Sequence, residues 1–280
     1  MQLFFRIITS IIILQNLTFG IGTQFLSIPQ NTIELIIGIN PVINNIANKP
    51  TLSASYGNWL AGINVSSFGY NRSAFGGTSG FNARYVALND IELRTDRPTD
   101  DPLAVFGATA IALDGSYNRQ IGIGLLSTKL RYISIQLFDE TSTGFAADIG
   151  LQHKVNENFN VGFSVLNLGR MSELNQEVPK LPIRMIGGSS YGFTFGDTEN
   201  VLFVAFEKSS IVEGIIFRIG EVTYWNKLQI LIGTQVSEEV VSISVGIGIK
   251  LGAYDIKYGI QFGSQALGIP QMLDLSVVLP

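Results

Sequence analysis

Residues 241–250 read Val-Ser-Ile-Ser-Val-Gly-Ile-Gly-Ile-Lys. Val241, Ile243, Val245, Ile247 and Ile249 take one set of alternate positions; Ser242, Ser244, Gly246, Gly248 and Lys250 take the other. Successive side chains of an extended strand point to opposite faces, so this stretch is a ribbon with one apolar face and one small or polar face. The period recurs. Phe159, Val161, Phe163 and Val165 oppose Asn160, Gly162 and Ser164, and Leu273, Leu275, Val277 and Leu279 oppose Asp274 and Ser276. Tyr254, Ile256, Tyr258, Ile260 and Phe262 oppose Asp255, Lys257, Gly259, Gln261 and Gly263. A chain written this way must give every ribbon an oily environment on one side and a polar one on the other.

Composition selects the environment. The 280 residues are 46% hydrophobic and 14% charged, with a mean hydropathy of +0.31. A soluble domain carries about 25% charged residues. Outside the amino terminus there is no apolar run of about 18 residues, the length a membrane helix needs. Many short alternating segments, 30 glycines, 18 Phe and 9 Tyr point to an all-β chain, a transmembrane antiparallel β-barrel in a bacterial outer membrane. A Lys at mid-bilayer costs about 2–4 kcal/mol, so Asp255 and Lys257 are expected to face a lumen.

The alternation predicts about fourteen strands: 51–57, 59–70, 78–90, 103–117, 120–138, 144–154, 158–168, 181–195, 200–208, 212–224, 227–236, 241–250, 252–263 and 272–279. Connections after even strands are short, at 118–119, 155–157, 196–199, 225–226 and near Leu251, with 71–77 the exception. The three longest, 91–102, 169–180 and 264–271, all follow odd strands. Short turns at one end and long loops at the other is the outer-membrane pattern, with the amino terminus on the periplasmic side.

Arg6 precedes the apolar stretch Ile7–Leu14, and Thr18 and Gly20 supply small residues before a cleavage point. Residues 1–20 therefore read as a secretory signal peptide, cut after Gly20 or Gly22. Residues 21–50 do not alternate. They form a compact apolar segment in which Pro41 can start a short helix through Val42, Ile43 and Ile46. This segment is expected to sit inside the barrel as a plug or hatch, with Phe25, Leu26, Ile36, Ile37, Ile39, Asn40 and Pro41 as candidate hatch and lumen residues. Residues 51–280 form the barrel.

Residues for chemistry are sparse. There is no cysteine, hence no disulfide, thiolate metal site or lipid-anchored amino-terminal cysteine. The one histidine, His153, sits at a strand end beside Lys154, and no Gly-x-Ser-x-Gly elbow accompanies it. Net charge is −4 without a basic tract, which argues against a nucleic-acid partner. The reading is a non-enzyme without cofactor or metal. Asp90, Glu92, Asp96, Asp100 and Asp101, mixed with Arg94 and Arg97, mark a loop able to bind a cation or a basic partner segment. Gly187-Gly188 and the Gly-x-Gly at 246–248 lie within strands and serve packing rather than phosphate binding.

The order of short motifs carries a resemblance. Gln24-Phe25-Leu26-Ser27-Ile28-Pro29 leads to Ile37-Gly38-Ile39-Asn40-Pro41, then Asn48-Lys49-Pro50 and Tyr56-Gly57-Asn58-Trp59-Leu60. Later come Phe106-Gly107-Ala108-Thr109-Ala110, Ala146-Ala147-Asp148-Ile149-Gly150-Leu151, Gly162–Gly169 and Leu181-Pro182-Ile183-Arg184. In this order the chain resembles the PorV/PorQ family of outer-membrane proteins, which are similar to the FadL hydrocarbon transporters. The resemblance implies fourteen strands, an amino-terminal hatch and a link to type IX secretion or surface attachment. Partners would be outer-membrane lipid and secretion or attachment components with their cargo. FadL-like relatives instead imply uptake of a hydrophobic ligand. The chain departs from the family in reading Asn48-Lys49-Pro50 in the hatch, Asp255-Ile256-Lys257-Tyr258 near the end, and Pro280 as its last residue.

Overall fold

A computed structural model describes residues 22–43, 49–94, 101–263 and 267–280, without the side chain of Leu93. The expected signal peptide, the end of the expected hatch (44–48) and Asp96, Arg97 and Asp100 lie outside the described residues.

Fourteen strands form one closed barrel. In chain order they are β1 (Thr51–Asn58), β2 (Asn64–Ala74), β3 (Gly77–Leu93), β4 (Ala104–Ile121), β5 (Gly124–Leu137), β6 (Glu140–Lys154) and β7 (Phe159–Met171). The second half is β8 (Arg184–Phe195), β9 (Thr198–Ser209), β10 (Ile216–Trp225), β11 (Leu228–Val236), β12 (Val241–Leu251), β13 (Tyr254–Gly263) and β14 (Gln271–Val278). Each strand pairs antiparallel with its sequence neighbours. The ring closes between β1 and β14, with Thr51 opposite Val278 and Asn58 opposite Gln271. Closure leaves no unpaired sheet edge, which a bilayer requires.

The period of two becomes an inside-out surface. Ile243 and Ile247 are 52% and 56% exposed on the exterior, whereas Ser242 and Ser244 are buried toward the interior. Asp255 and Lys257 point inward, as expected, and pair with each other at 2.6 Å. No helix among the described residues is long and apolar enough to cross a membrane.

Connections following even strands are tight: 75–76, 122–123, 155–158, 196–197, 226–227 and 252–253. The expected exception at 71–77 disappears, because β2 runs to Ala74 and turns on Phe75-Gly76, both at positive φ (54° and 73°). That is the backbone of a two-residue hairpin turn matched to strand twist. The expected turn at Asn118-Arg119 is strand, and β4 turns four residues later on Gly122-Ile123. Longer connections follow odd strands at 94–103, 172–183, 210–215 and 264–270, but β5–β6 turns on Phe138-Asp139 alone. Glu140 therefore belongs to a strand rather than a loop.

Strand starts also move. β2 begins at Asn64 rather than residue 59, since a 3-10 turn at Leu60–Gly62 intervenes with Ala61 at φ 55°. β8 begins at Arg184 rather than 181, and β10 at Ile216 rather than 212. Two ladders are irregular. β3 shifts register between Leu88 and Ile91 around Asp90 (φ 59°). The β6–β7 ladder shifts between Ala147 and Ile149 opposite Asn167 (φ 62°).

Before β1 the described residues make a 3-10 turn at Thr23–Ser27 and a short helix, α1 (Thr32–Ile36). Neither position was expected to be helical; the expected helix start at Pro41 is a turn through residue 43. Asn31 caps α1 by accepting from Glu34 N at 2.9 Å, while Glu34 reaches back to Gln30 N at 3.0 Å. The arrangement is like a capping box but shifted, since Glu34 accepts from the residue before the N-cap rather than from the N-cap itself.

Candidate functional site

The amino-terminal segment is tied to the inner wall at points all around the barrel. Thr23 Oγ1 donates to Lys180 O at 2.5 Å. Gln30 O accepts from Ser67 Oγ (2.8 Å) and its side chain from Asn82 (2.8 Å). Arg84 donates to Ile28 O and stands over the Phe25 ring, 5.7 Å from its centroid. Thr32 N donates to Asp274 Oδ2 at 2.8 Å, and Ser244 Oγ to Leu35 O at 3.3 Å. Asn40 Nδ2 donates to Val204 O at 3.1 Å.

Glycines explain how the wall makes room. Gly220 and Gly233 are cross-strand partners on β10 and β11, and Gly246 and Gly259 on β12 and β13. A methyl group on Gly220 would meet Ile37 at 3.2 Å; on Gly259 it would meet Thr32 at 2.8 Å and Ile36 at 3.0 Å. On Gly233 it would lie 2.8 Å from the Ile36 carbonyl carbon. Four neighbouring strands thus bare their backbones to seat Ile36 and Ile37. A second seat is the pair Gly162–Gly188 on β7 and β8. There a methyl group would meet Pro41 and Val42 at 3.1 Å and Asn40 at 2.8 Å. Glycine in a strand marks such a close approach.

Two apolar clusters result. Ile36 and Ile37 pack with Val222 and Leu231. Phe25, Leu26, Ile28 and Leu35 pack with Val65, Val86, Ala110, Ile133, Met171 and Leu181, toward the end that bears the long connections.

Beside the segment, at that same end, lies a cavity of about 530 Å³. Ile28, Leu35, Ile39, Ile63, Leu88 and Ile216 give it apolar walls, with Trp59 among them. Ile211, Val212 and Val240 border it from the connections. Arg184, Glu207 and Arg218 form its charged wall. Arg184 holds Glu207 with two hydrogen bonds (2.5 and 2.8 Å), and Arg218 Nη1 reaches the same carboxylate at 2.5 Å. The Glu207 carboxylate is thus held from both sides, as a buried charge must be, while Arg184 Nη1 has no partner among the described residues.

A second ionic group stands on β4–β7. Asp114 and Arg131 are directly opposed and bonded at 2.6 Å. Arg131 also reaches Asp148 at 3.2 Å and Asn167 Oδ1. Lys129 lies 3.6 Å from Asp114 and 3.9 Å from Asp148. Asp148 in turn accepts from Asn167 N (2.7 Å), fixing the left-handed bulge, and Asn167 donates to Pro182 O (2.9 Å).

Of the expected hatch residues, Phe25, Leu26, Ile36, Ile37 and Asn40 are buried against the inner wall. Pro41 sits over Gly162 and Gly188. Ile39 alone among the seven borders the cavity. In the expected partner loop, Glu92 lies at the end of β3 and pairs with Arg94 at 2.7 Å, both half-exposed. Asp101 lies beyond residues 95–100 on the same connection. Among the described residues no group of three or more metal-ligating side chains gathers.

Apart from Asp255 and Lys257, sequence reasoning missed the inward charges. Arg184 and Glu207 are 23 residues apart, and Arg131 and Asp148 are 17 apart. Arg184 and Asp148 are single charges among apolar or small inward residues of their strands, and Arg131 shares the inward face of β5 with Lys129. That placement was readable; the pairing needs cross-strand register, which one sequence does not display.

No family model matches the chain, and no curated protein matches it. Solved structures do. The CymD monoaromatic hydrocarbon channel matches with a TM-score of 0.63 at 9% identity, over 93% of this chain and 98% of that one. A TodX monoaromatic hydrocarbon channel mutant matches at 0.57 and 10% identity, over 89% and 99%. The Acinetobacter baumannii outer membrane protein Omp33 matches at 0.51 and 7% identity, over 84% and 100%. At these identities the likeness is one of fold, and it places the chain among closed antiparallel β-barrels of the outer-membrane type.

Proposed function

We propose that this chain is a bacterial outer-membrane channel that admits a hydrophobic small molecule past an amino-terminal hatch. The observation that carries the reading is the cavity of about 530 Å³ walled by Ile28, Leu35, Ile39, Ile63 and Leu88. Its size falls within the range of about 300–1,000 Å³ that ligand pockets occupy. The segment at residues 22–43 is the hatch: seated on glycines and pinned by side-chain hydrogen bonds, it fills the passage beside the cavity. Two of the fold neighbours bear the name of monoaromatic hydrocarbon channels, which supports a small apolar ligand class.

The test is uptake. Deleting the gene should slow passage of a labelled aromatic hydrocarbon into cells, and the wild-type gene should restore it. Ile39→Trp, which fills the cavity from the hatch, should not. Unchanged uptake in the deletion strain together with no ligand binding to the purified barrel overturns the proposal.

The sequence resemblance to PorV/PorQ barrels supports a second reading, in which the rim serves type IX secretion or surface attachment. The long connections at 94–103 and 172–183 stand at one end and would form the docking rim. Against a large cargo, the neighbouring connections at 138–139 and 237–240 are short. Co-purification with secretion components after gentle extraction tests this reading; recovery of the barrel alone refutes it.

A further inference from the structure

We propose that the outer wall over β8–β10 is a two-fold docking face for a second copy of this chain in the membrane plane. The inference is independent of what the lumen carries. It starts from a charge on the lipid side. Glu221 stands on β10 between Leu202 of β9 and Ile232 of β11. Its chain neighbours Gly220 and Val222 face inward onto Ile37 and Ile36, so its carboxylate points outward. Arg72, Arg119, Arg170 and Lys208 also point outward, but each lies within two residues of a strand end. Glu221 is four residues from Trp225 and five from Ile216. For strands tilted about 40° that is about 10 Å inside the short-turn edge of the wall. Thr223 Oγ1 donates to Glu221 at 3.3 Å, and the same hydroxyl serves Asn200 Oδ1 at 2.9 Å. Among the described residues no cation pairs with Glu221. Ionisable groups at membrane depth pair with a partner, and this wall gives its carboxylate half of one shared hydroxyl.

The wall is complementary to itself. Rows of paired residues climb toward the long-connection end as they pass from strand to strand in chain order. The row Ser53, Gly69, Asn82, Asp114, Arg131 and Ala146 begins two residues from the start of β1 and stands eight from the end of β6. At the spacing and tilt of such barrels each strand raises a row by about 3 Å, and two residues along a strand span about 5 Å of depth. Ser189, Val204 and Ile219 form one row, and Glu221 lies one outward step below Ile219. Ser189 on β8 and Glu221 on β10 are thus level to within about 1 Å, with Leu202 and Val204 between them. Gly187, Phe206 and Phe217 form the next row, which levels Gly187 with Ile219 in the same way. Gly187 is a notch: a methyl group there meets nothing within 4 Å, and Phe163 and Phe206 stand on either side, 52% and 56% exposed. A two-fold axis along the membrane normal through Leu202 and Val204 brings Ser189 of each copy to Glu221 of the other, and Ile219 of each to the notch of the other. An isologous contact has this form. Each serine hydroxyl donates to the facing carboxylate, so the contact is made on both sides of the axis.

The chain has no cysteine, so an introduced one reports alone. Val204→Cys and Leu202→Cys, near the axis, should form an intermolecular disulfide when the barrel in liposomes is oxidised with copper phenanthroline. Phe68→Cys, outward on β2 half-way round the ring, should not. The dimer fraction against the protein-to-lipid ratio gives a dissociation constant for the cysteine-free barrel. Ser189→Ala and Glu221→Leu should each raise it about tenfold, the strength of two polar contacts in a membrane. Ser189→Ala/Glu221→Leu should raise it no further, because either change already empties both contacts. Ser189→Ala carries the test should Glu221→Leu not fold. Four results overturn the inference: a barrel that stays monomeric at every protein-to-lipid ratio, a dimer indifferent to both substitutions, cross-linking through Phe68→Cys equal to that through Val204→Cys, or cross-linking of Val204→Cys in cells to a different membrane protein alone.

Discussion

Gly233→Ala should unseat the amino-terminal segment while leaving the barrel closed. The new methyl would lie 2.8 Å from the Ile36 carbonyl carbon and closer still to its oxygen. Carbon contacts settle near 3.5–4.0 Å, so α1 must retreat by about 1 Å. The atoms it strikes belong to the main chain, so no rotamer change relieves them. Ile36 and Ile37 are 4% and 2% exposed, and each such side chain contributes about 1.5–3 kcal/mol by its burial. Overpacking of a well-filled site typically costs about 1–3 kcal/mol, which here falls on the seating of α1. The strand itself tolerates alanine, because Gly233 is an ordinary ladder residue paired with Gly220 and Ser244. Hydrogen exchange reads the outcome. The amides of Leu35, Ile37 and Gly38, bonded to Asn31, Ile33 and Glu34, should lose protection by about tenfold to a hundredfold, the equivalent of 1–3 kcal/mol, while strand amides keep theirs. Gly187→Ala, where a methyl meets nothing within 4 Å, is the control. Unchanged protection across residues 33–38 in Gly233→Ala would refute the seating argument.

Asp274→Asn should loosen the same helix by about 1 kcal/mol, since the charged acceptor of Thr32 N is lost at its first turn; protection confined to α1 should fall, and an unaltered exchange pattern would count against it. Arg131→Met leaves Asp114 and Asp148 buried with Lys129 as their remaining cation, and breaking a buried pair this way costs about 3–5 kcal/mol. A thermal unfolding midpoint in detergent equal to that of the parent would contradict the network. Ile247→Lys on the exterior should cost about 2–4 kcal/mol in urea titrations of folding into vesicles. A cost near zero would show that this face does not meet acyl chains.

The barrel was legible because period two is a property of single strands. Val241–Lys250 alone fixes which side chains face out, and fourteen such stretches follow from the same rule. Boundaries slipped where turn chemistry was read too locally. Asn118-Arg119 resembles a turn, yet Tyr117 and Arg119 continue the outward set until Gly122 supplies the positive φ of 56°. Phe75-Gly76 was absorbed into a loop because an aromatic residue at positive φ gives no signal. That residues 22–43 stand apart from the strands was anticipated from their lack of alternation, but their helix was not, since the cap formed by Gln30, Asn31 and Glu34 is a polar signal inside an apolar run. The site was the least legible part. Gly188 and Gly246 announced themselves as small positions, but what fills the space above them comes from residues more than a hundred positions away. Arg184, Glu207 and Arg218 become one group only when three strands align.

The seam at which the barrel closes joins the first strand to the last, and the helix that precedes the first strand is bonded to Asp274 and Met272 on the last. The leading helix therefore spans the seam from within: the strand it precedes and the strand it is bonded to are the two that meet where the ring closes, so a change that loosens α1 also removes the inner brace of that junction.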